Sequence, residues 1–205
     1  MCVGHKQVGY EISFAYLRVM EKRKIVVRPA VVGDAPFIGL VVLMALHYDE
    51  THPMCDIFKE LAGRECSQYS YRNALVAEVD GVAAGAVVGY DGASLYRLRE
   101  PLLELVGLRM GKTFEIEDET SAGEFYVDSL AVLPDFRGCG VGRTLLATIR
   151  DRAFAGGVSK VGLLVDVDNP RAEAMYRTLG FERVNPTTFL GHAMWHMQAT
   201  KDIDR

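Results

Sequence analysis

The stretch "LPDFRGCGVGRTLL", residues 133–146, sets Arg137 directly before three glycines spaced two apart, Gly138, Gly140 and Gly142. Glycine inside an ordered element costs about 0.5–1 kcal/mol relative to alanine, so three at one junction call for a purpose. "EFYVDSLAVLP" (124–134) reads as a strand stopped by proline, and Val141, Leu145, Ile149 and Ala153 give a helix face between Val141 and Phe154. The glycines therefore sit where a strand enters a helix. A helix N-terminus offers unpaired N–H groups and partial positive charge, which suits an anion. Glycines let the backbone approach such a ligand and permit angles that aim successive N–H groups inward. Arg137 and Arg143 add fixed positive charge. The implied ligand is a phosphate or pyrophosphate, with a turn or packing role as the plainer alternative. A Walker loop is excluded because no lysine follows, and a dinucleotide fingerprint fails because its last glycine falls on Arg143.

The remaining pattern places this junction in an α/β chain. "KIVVRPA" (24–30) reads as a strand, and Asp34 is the expected N-cap of a helix reaching about His47. A second helix is expected near Asp56 to Glu65. "ALVAEVDGVAAGAVVGY" (74–90) is a hairpin about Asp80-Gly81, a pair suited to a two-residue turn. Residues 94–108 look helical, started or kinked by Pro101, and 109–123 form a loop. "KVGLLVDV" (160–167) is a strand apolar enough for burial on both faces. Asn169 caps a helix beginning at Pro170 and closed by Gly180. "FERV" and a strand over 189–198 finish a mixed sheet.

Length and composition fit one domain, 24–205, carrying a helical and acidic insert at about 91–123, behind a peripheral extension, 1–23. The extension's alternative is a short amphipathic helix using Ile12, Tyr16 and Val19. The net charge of −4 speaks against nucleic acid as a partner. Four cysteines without CxxC spacing indicate neither zinc nor a disulfide framework and fit a cytoplasmic protein. His47 and His52 are too isolated to be metal ligands, and His192 and His196 lack a third ligand, so no metal is expected. No apolar run reaches membrane-spanning length, so no membrane partner is expected either.

"RGCGVG" has the form R-x-x-G-x-G, follows "VDSLAVLPDF", and is succeeded by "DVDNPRAEAMYRTLGF". Together these resemble the GCN5-related N-acetyltransferase (GNAT) superfamily, over roughly residues 25–197. The resemblance implies a mixed, mostly antiparallel sheet of six to seven strands flanked by helices, with a splayed central strand pair forming an acetyl-CoA cleft. It implies that backbone at Leu130, Ala131 and Val132 pairs with the pantetheine arm. The loop of Arg137, Gly138, Cys139, Gly140, Val141, Gly142 and Arg143 would hold the pyrophosphate. Asn169 would contact the cofactor arm, and Tyr176 would lie by the thioester sulfur and protonate the departing thiolate.

Acyl transfer to an amine needs a base for the amine, donors for the carbonyl oxygen and an acid for the sulfur. Val132 N–H is the expected oxyanion contact. Tyr176 suits the acid, because a phenol's reference pKa of about 10 lies near a thiol's. Asp128 is the expected base, on a strand face shared with Tyr126 and Leu130 by alternation, with Glu124 and a water chain behind it. Plainer readings make Tyr176 a core residue, Asp128 a partner of neighbouring backbone and Cys139 a loop filler. The acids Glu115, Glu117, Asp118, Glu119 and Glu124 could attract a cationic amine or form a solvated loop. The expected enzyme uses acetyl-CoA as co-substrate and a small-molecule or peptide amine as acceptor, with a homodimer left open. Its rivals are an acyl-CoA sensor without turnover and a nucleotide-binding regulatory domain.

Overall fold

The glycine loop sits in the middle of the architecture, after the fourth of the seven strands found among the described residues. In chain order the elements are β1 (Ile25–Pro29), α1 (Ala35–Ala45), α2 (Cys55–Gly63), β2 (Ala74–Val79), β3 (Val82–Asp91), α3 (Leu95–Met110), β4 (Phe125–Val132), α4 (Val141–Ala155), β5 (Lys160–Asp166), α5 (Pro170–Arg177), β6 (Glu182–Phe189) and β7 (His192–Thr200). The structure, a computed structural model, describes residues 24–111, 113 and 115–201. The expected extension, 1–23, lies outside them.

The strands form one sheet in the order β1-β2-β3-β4-β5-β7-β6. Every neighbouring pair is antiparallel except β4 and β5. One face packs on α1, α2 and α3 through Ile38, Val42, Leu61, Val76, Val88 and Leu102. The other packs on α4 through Val87, Val127, Leu145, Ile149, Leu163 and Phe181. The spacing of Val141, Leu145, Ile149 and Ala153 thus marks the buried stripe of α4, all four being buried. The β2–β3 hairpin turns at Asp80 (φ 53°) and Gly81 (φ 83°), the two positive angles that a tight two-residue turn demands. Among the described residues, no helix is long and apolar enough to cross a membrane.

Several local expectations give way to tertiary structure. Asp34 precedes α1 but does not cap it; its carboxylate takes Arg28 Nη1 at 2.7 Å and Val31 N–H at 2.8 Å. An arginine offers a stronger, charge-assisted partner than a helix amide. Pro101 falls inside α3 rather than at its start. The break expected between "FERV" and residue 189 is absent, because β6 runs through Pro186 to Phe189. β6 is the edge strand, where proline's missing N–H leaves no ladder bond unmade. β6 and β7 then turn at Leu190 (φ 49°) and Gly191 (φ 80°), a second tight hairpin.

Phe181 follows the left-handed Gly180 (φ 84°) and is fully buried against α4. Phe181→Ala should cost about 3–5 kcal/mol of stability, read as a lower urea midpoint. A loss below about 1 kcal/mol would show that the site collapses around the cavity.

Candidate active site

Strand β4 carries the site because it is irregular. Val88 pairs with Ser129 and Gly89 with Val127, so Asp128 has no partner residue on β3. This is a β-bulge, which bends the strand and re-aims a side chain. On its other side β4 pairs with β5 only from Phe125 to Val127. Beyond that point β5 continues on β7 alone, with Leu164, Val165 and Asp166 opposite His196, Trp195 and Met194. A wedge opens between Asp128–Val132 and Leu164–Asp166, forming a cavity of about 470 Å³.

The bulge also corrects the expected alternation. Tyr126 packs with Tyr90 and Leu98, whereas Leu130 packs with the α4 cluster, so the two lie on opposite faces. Ladder alternation decides which backbone groups look into the wedge. Leu133 N–H donates to Ala84 O, and the Val132 carbonyl accepts from Arg137 Nε at 3.0 Å. In an antiparallel pair successive residues point alternately at the partner and away. Leu130 and Val132 therefore present N–H and C=O to the wedge, while Ala131 is turned to Ala86 on β3.

The glycine loop closes one end of the wedge. Gly138 (φ 77°) and Gly140 (φ 89°) are left-handed and a Cβ on either would meet open space. Gly142 is ordinary helix, with a Cβ position 3.5 Å from Val132 Cγ2. Only the first two glycines are needed for their backbone angles. Arg137 N–H is taken by Pro134 O and Thr144 N–H by Gly140 O. Between them, among the described residues, the amides from Gly138 to Arg143 have no backbone acceptor. A run of free amides at the start of α4 is a cradle for an anion. Arg137 lines the groove, whereas Arg143 hydrogen-bonds Thr178 beyond the end of α5. Cys139 is exposed and does not line the groove; its Sγ faces Arg137 O at 3.7 Å.

Helix α5 supplies the opposite wall. Asn169 Oδ1 accepts Ala172 N–H at 3.1 Å, capping the helix as expected, so only its Nδ2 is available to a ligand. Asn169 and Tyr176 both line the groove. Burial pushes the Tyr176 hydroxyl up to about 12, so it keeps its proton at neutral pH.

Asp128 occupies the floor, where the groove meets a second cavity. Its carboxylate accepts from Ser129 Oγ (2.7 Å), Gln68 Nε2 (3.2 Å) and Tyr90 OH (3.2 Å). Burial, reinforced by the nearby Glu119 charge, pushes Asp128 up to about 7 despite those donors. A carboxylate poised there can accept a proton near neutral pH. Gln68 and Tyr90 carry no signal in the sequence, Glu119 was legible only as one acid of the insert, and all three reach Asp128 through folding.

The insert's acids divide, with Glu115, Glu117 and Asp118 exposed and Glu119 and Glu124 buried. Arg99, with its side chain 5% exposed, bonds Asp118 Oδ1 at 3.0 Å and the buried Glu119, and takes the carbonyls of Ile116 and Glu117. A buried guanidinium requires such counter-charges. Glu124 lines neither cavity; its carboxylate accepts from Thr120 Oγ1 (2.7 Å) and Gln198 Nε2 (2.7 Å) and contacts His196 Nε2 (3.1 Å). His47 lines the groove, His52 stacks on Tyr48 at 3.9 Å, and no described His, Cys, Asp or Glu cluster could hold a metal.

A strand splayed over an amide cradle, with a carboxylate and a phenol on its two walls, is the layout of an acyl-group transferase. A family model described as "Acetyltransferase (GNAT) family" matches residues 43–181. A solved acetyltransferase is 33% identical with a TM-score of 0.72, covering 85% of this chain and 98% of that one. The chain belongs to the GNAT acetyltransferase family. Among curated relatives, N-alpha-acetyltransferase RimI of Mycobacterium tuberculosis is 37% identical over 102 residues, 50% of this chain and 49% of that protein. Mycothiol acetyltransferase of Kineococcus radiotolerans is 50% identical over 66 residues, 32% of this chain and 20% of that protein. The chain thus spans half or less of these relatives' length. The protein yncA of Salmonella typhimurium, solved with its cofactor acetyl-CoA, shares the fold at 20% identity and a TM-score of 0.59, covering 89% of this chain and 96% of that one.

Proposed function

We propose that this chain is an acetyl-CoA-dependent N-acyltransferase that moves an acetyl group directly to a primary amine in a ternary complex. The observation that carries the reading is the run of free amides from Gly138 to Arg143 opening onto a wedge where Leu130 keeps its N–H and C=O, and Val132 its N–H, off the β3 ladder. A diphosphate fits the amides and Arg137, and an extended amide-bearing arm fits the free edge of β4. Asn169 Nδ2 serves the same arm. Acetyl-CoA, when bound, supplies an acetyl group activated as a thioester.

The chain's own residues supply the rest. Asp128 accepts the proton that the amine must lose. Val132 N–H donates to the carbonyl oxygen as negative charge develops there. Tyr176 delivers its proton to the sulfur, so the C–N bond forms as the C–S bond breaks, and both side chains reset through water. An acyl-CoA sensor would require neither of these titrating groups beside the cleft.

The direct test is thiol release from acetyl-CoA across a panel of primary amines, with acetylated product confirmed by mass spectrometry. Binding of CoA without release on any amine would favour the sensor. ATP or NAD bound in preference to CoA would reject the cleft assignment. A base near 7 has a sign: kcat/KM should rise with pH through about 7 and then level, because only ionised Asp128 accepts a proton. Asp128→Asn should be slower at every pH and lose that limb. An unchanged profile in the asparagine variant would move the base elsewhere.

A further inference from the structure

We infer that the second cavity selects the acceptor: a small primary amine on an uncharged apolar body, aromatic or branched aliphatic, with the Gln68 side-chain carbonyl accepting one of its N–H bonds. The inference rests on the acetyltransferase reading above and names its substrate class. The cavity measures about 360 Å³, near the low end of the roughly 300–1,000 Å³ that small-molecule sites occupy. Phe58, Leu102, Val106, Ile116 and Met194 line it, so the body it accepts is apolar. Asp128 and Leu164 belong to both this cavity and the groove, and an amine seated here reaches the proposed base and the thioester together.

Gln68 gives the site its polarity. It is 3% exposed and lines the cavity. Its backbone is pinned, with N–H on Leu98 O at 2.9 Å and C=O accepting from Asn73 Nδ2 at 3.3 Å. Nε2 donates to Asp128 Oδ2 at 3.2 Å. An ionised carboxylate only accepts, so the amide must turn its nitrogen that way and leave Oε1 for another donor. Oε1 is buried and, among the described residues, has no hydrogen-bond partner. A buried, unpaired acceptor carries a cost that a ligand N–H removes.

Of the other charges around the cavity, Arg99 and Glu119 balance one another, while Glu115 lines it from an exposed position. Arg99 has its guanidinium ends on Asp118, Glu119 and two carbonyls, leaving only Nε, the second unpaired atom. The Tyr90 hydroxyl lies 2.9 Å from Glu119 Oε1 and 3.2 Å from Asp128 Oδ2, and its single proton serves one of them at a time. Among the described residues lining the cavity, with Arg99 neutralised, no unpaired Lys or Arg is left for a ligand carboxylate, which disfavours free amino acids.

The test measures kcat/KM at saturating acetyl-CoA for 2-phenylethylamine, 3-methylbutylamine, phenylalanine, spermidine and an alanine-initiated tetrapeptide. The first two should exceed the others by at least about tenfold, the span of one lost buried hydrogen bond or charge mismatch. Gln68→Met keeps the volume and removes the acceptor. It should raise the KM for 2-phenylethylamine about 10–100-fold and leave the affinity for CoA unchanged, which also reports a folded cleft. Preference for spermidine, phenylalanine or the peptide overturns the substrate class, and an unchanged amine KM in Gln68→Met overturns the role of Gln68. If no amine is acetylated, the acetyltransferase reading fails instead. Calorimetric binding of 2-phenylethylamine to the CoA-bound wild-type and Gln68→Met proteins then decides the site by itself, weaker binding in the variant supporting it and equal binding rejecting it.

Discussion

Tyr176→Phe should slow a single turnover roughly 10²–10⁴-fold, the usual contribution of a positioned general acid, while acetyl-CoA binds as before. The ring sits on α5 with its centroid 6.2 Å from Phe181 and forms part of the groove wall. Phenylalanine preserves that packing and removes only the hydroxyl. Burial holds the phenol at about 12, so the group is fully protonated at neutral pH and available as a donor, while the shift away from the thiol's range makes transfer to a departing thiolate uphill. The loss should fall on kcat and kcat/KM together, as for an interaction made in the transition state. Single-turnover measurement is needed because slow product release would mask the chemical step. Wild-type speed in the variant would make Tyr176 a packing residue and water the proton source.

Gly142→Asp should lower CoA affinity by about 10³-fold or more. A carboxylate about 4 Å from one diphosphate charge costs about 4 kcal/mol at the effective dielectric of a protein surface. Gly142 is the better position for this experiment than Gly140. Gly140 is left-handed at φ 89°, so any side chain there strains the backbone and confounds affinity with folding. Gly142 has ordinary helical angles, and its added Cβ would meet Val132 Cγ2 at 3.5 Å, a normal contact. Gly142→Ala supplies the control: it fills the same space without charge and should bind CoA nearly as wild type. Calorimetric titration of both variants separates the effects. Equal CoA affinity in the aspartate and alanine variants would place the diphosphate elsewhere.

The core stripe of α4, the Asp80-Gly81 turn and the Asn169 cap were legible because each depends on neighbours within a few residues. Helical spacing, paired positive φ angles and a side-chain oxygen three residues from its amide are local geometry. The glycine junction was legible for the same reason, since a helix start creates free amides wherever it occurs. Local rules failed where a distant partner competed. Arg28 drew Asp34 from its cap, and the edge position of β6 excused Pro186. Buried Arg99 drew in Asp118 and Glu119 of the insert.

By itself the sequence determined an α/β chain with an anion cradle between a strand and a helix, flanked by a tyrosine-bearing helix capped at Asn169. Tertiary structure alone decided how that cradle becomes a site. The one-residue bulge at Asp128 depends on the register of β4 against β3, and the wedge depends on β5 leaving β4 for β7. The bulge turned Leu130 to the face opposite Tyr126 and carried Asp128 to the meeting point of two cavities. Its proton affinity was then set by burial and by Glu119, with Gln68, Tyr90 and Ser129 opposing the shift. Strand register and burial are properties of pairs far apart in the chain, and no single stretch of residues encodes them.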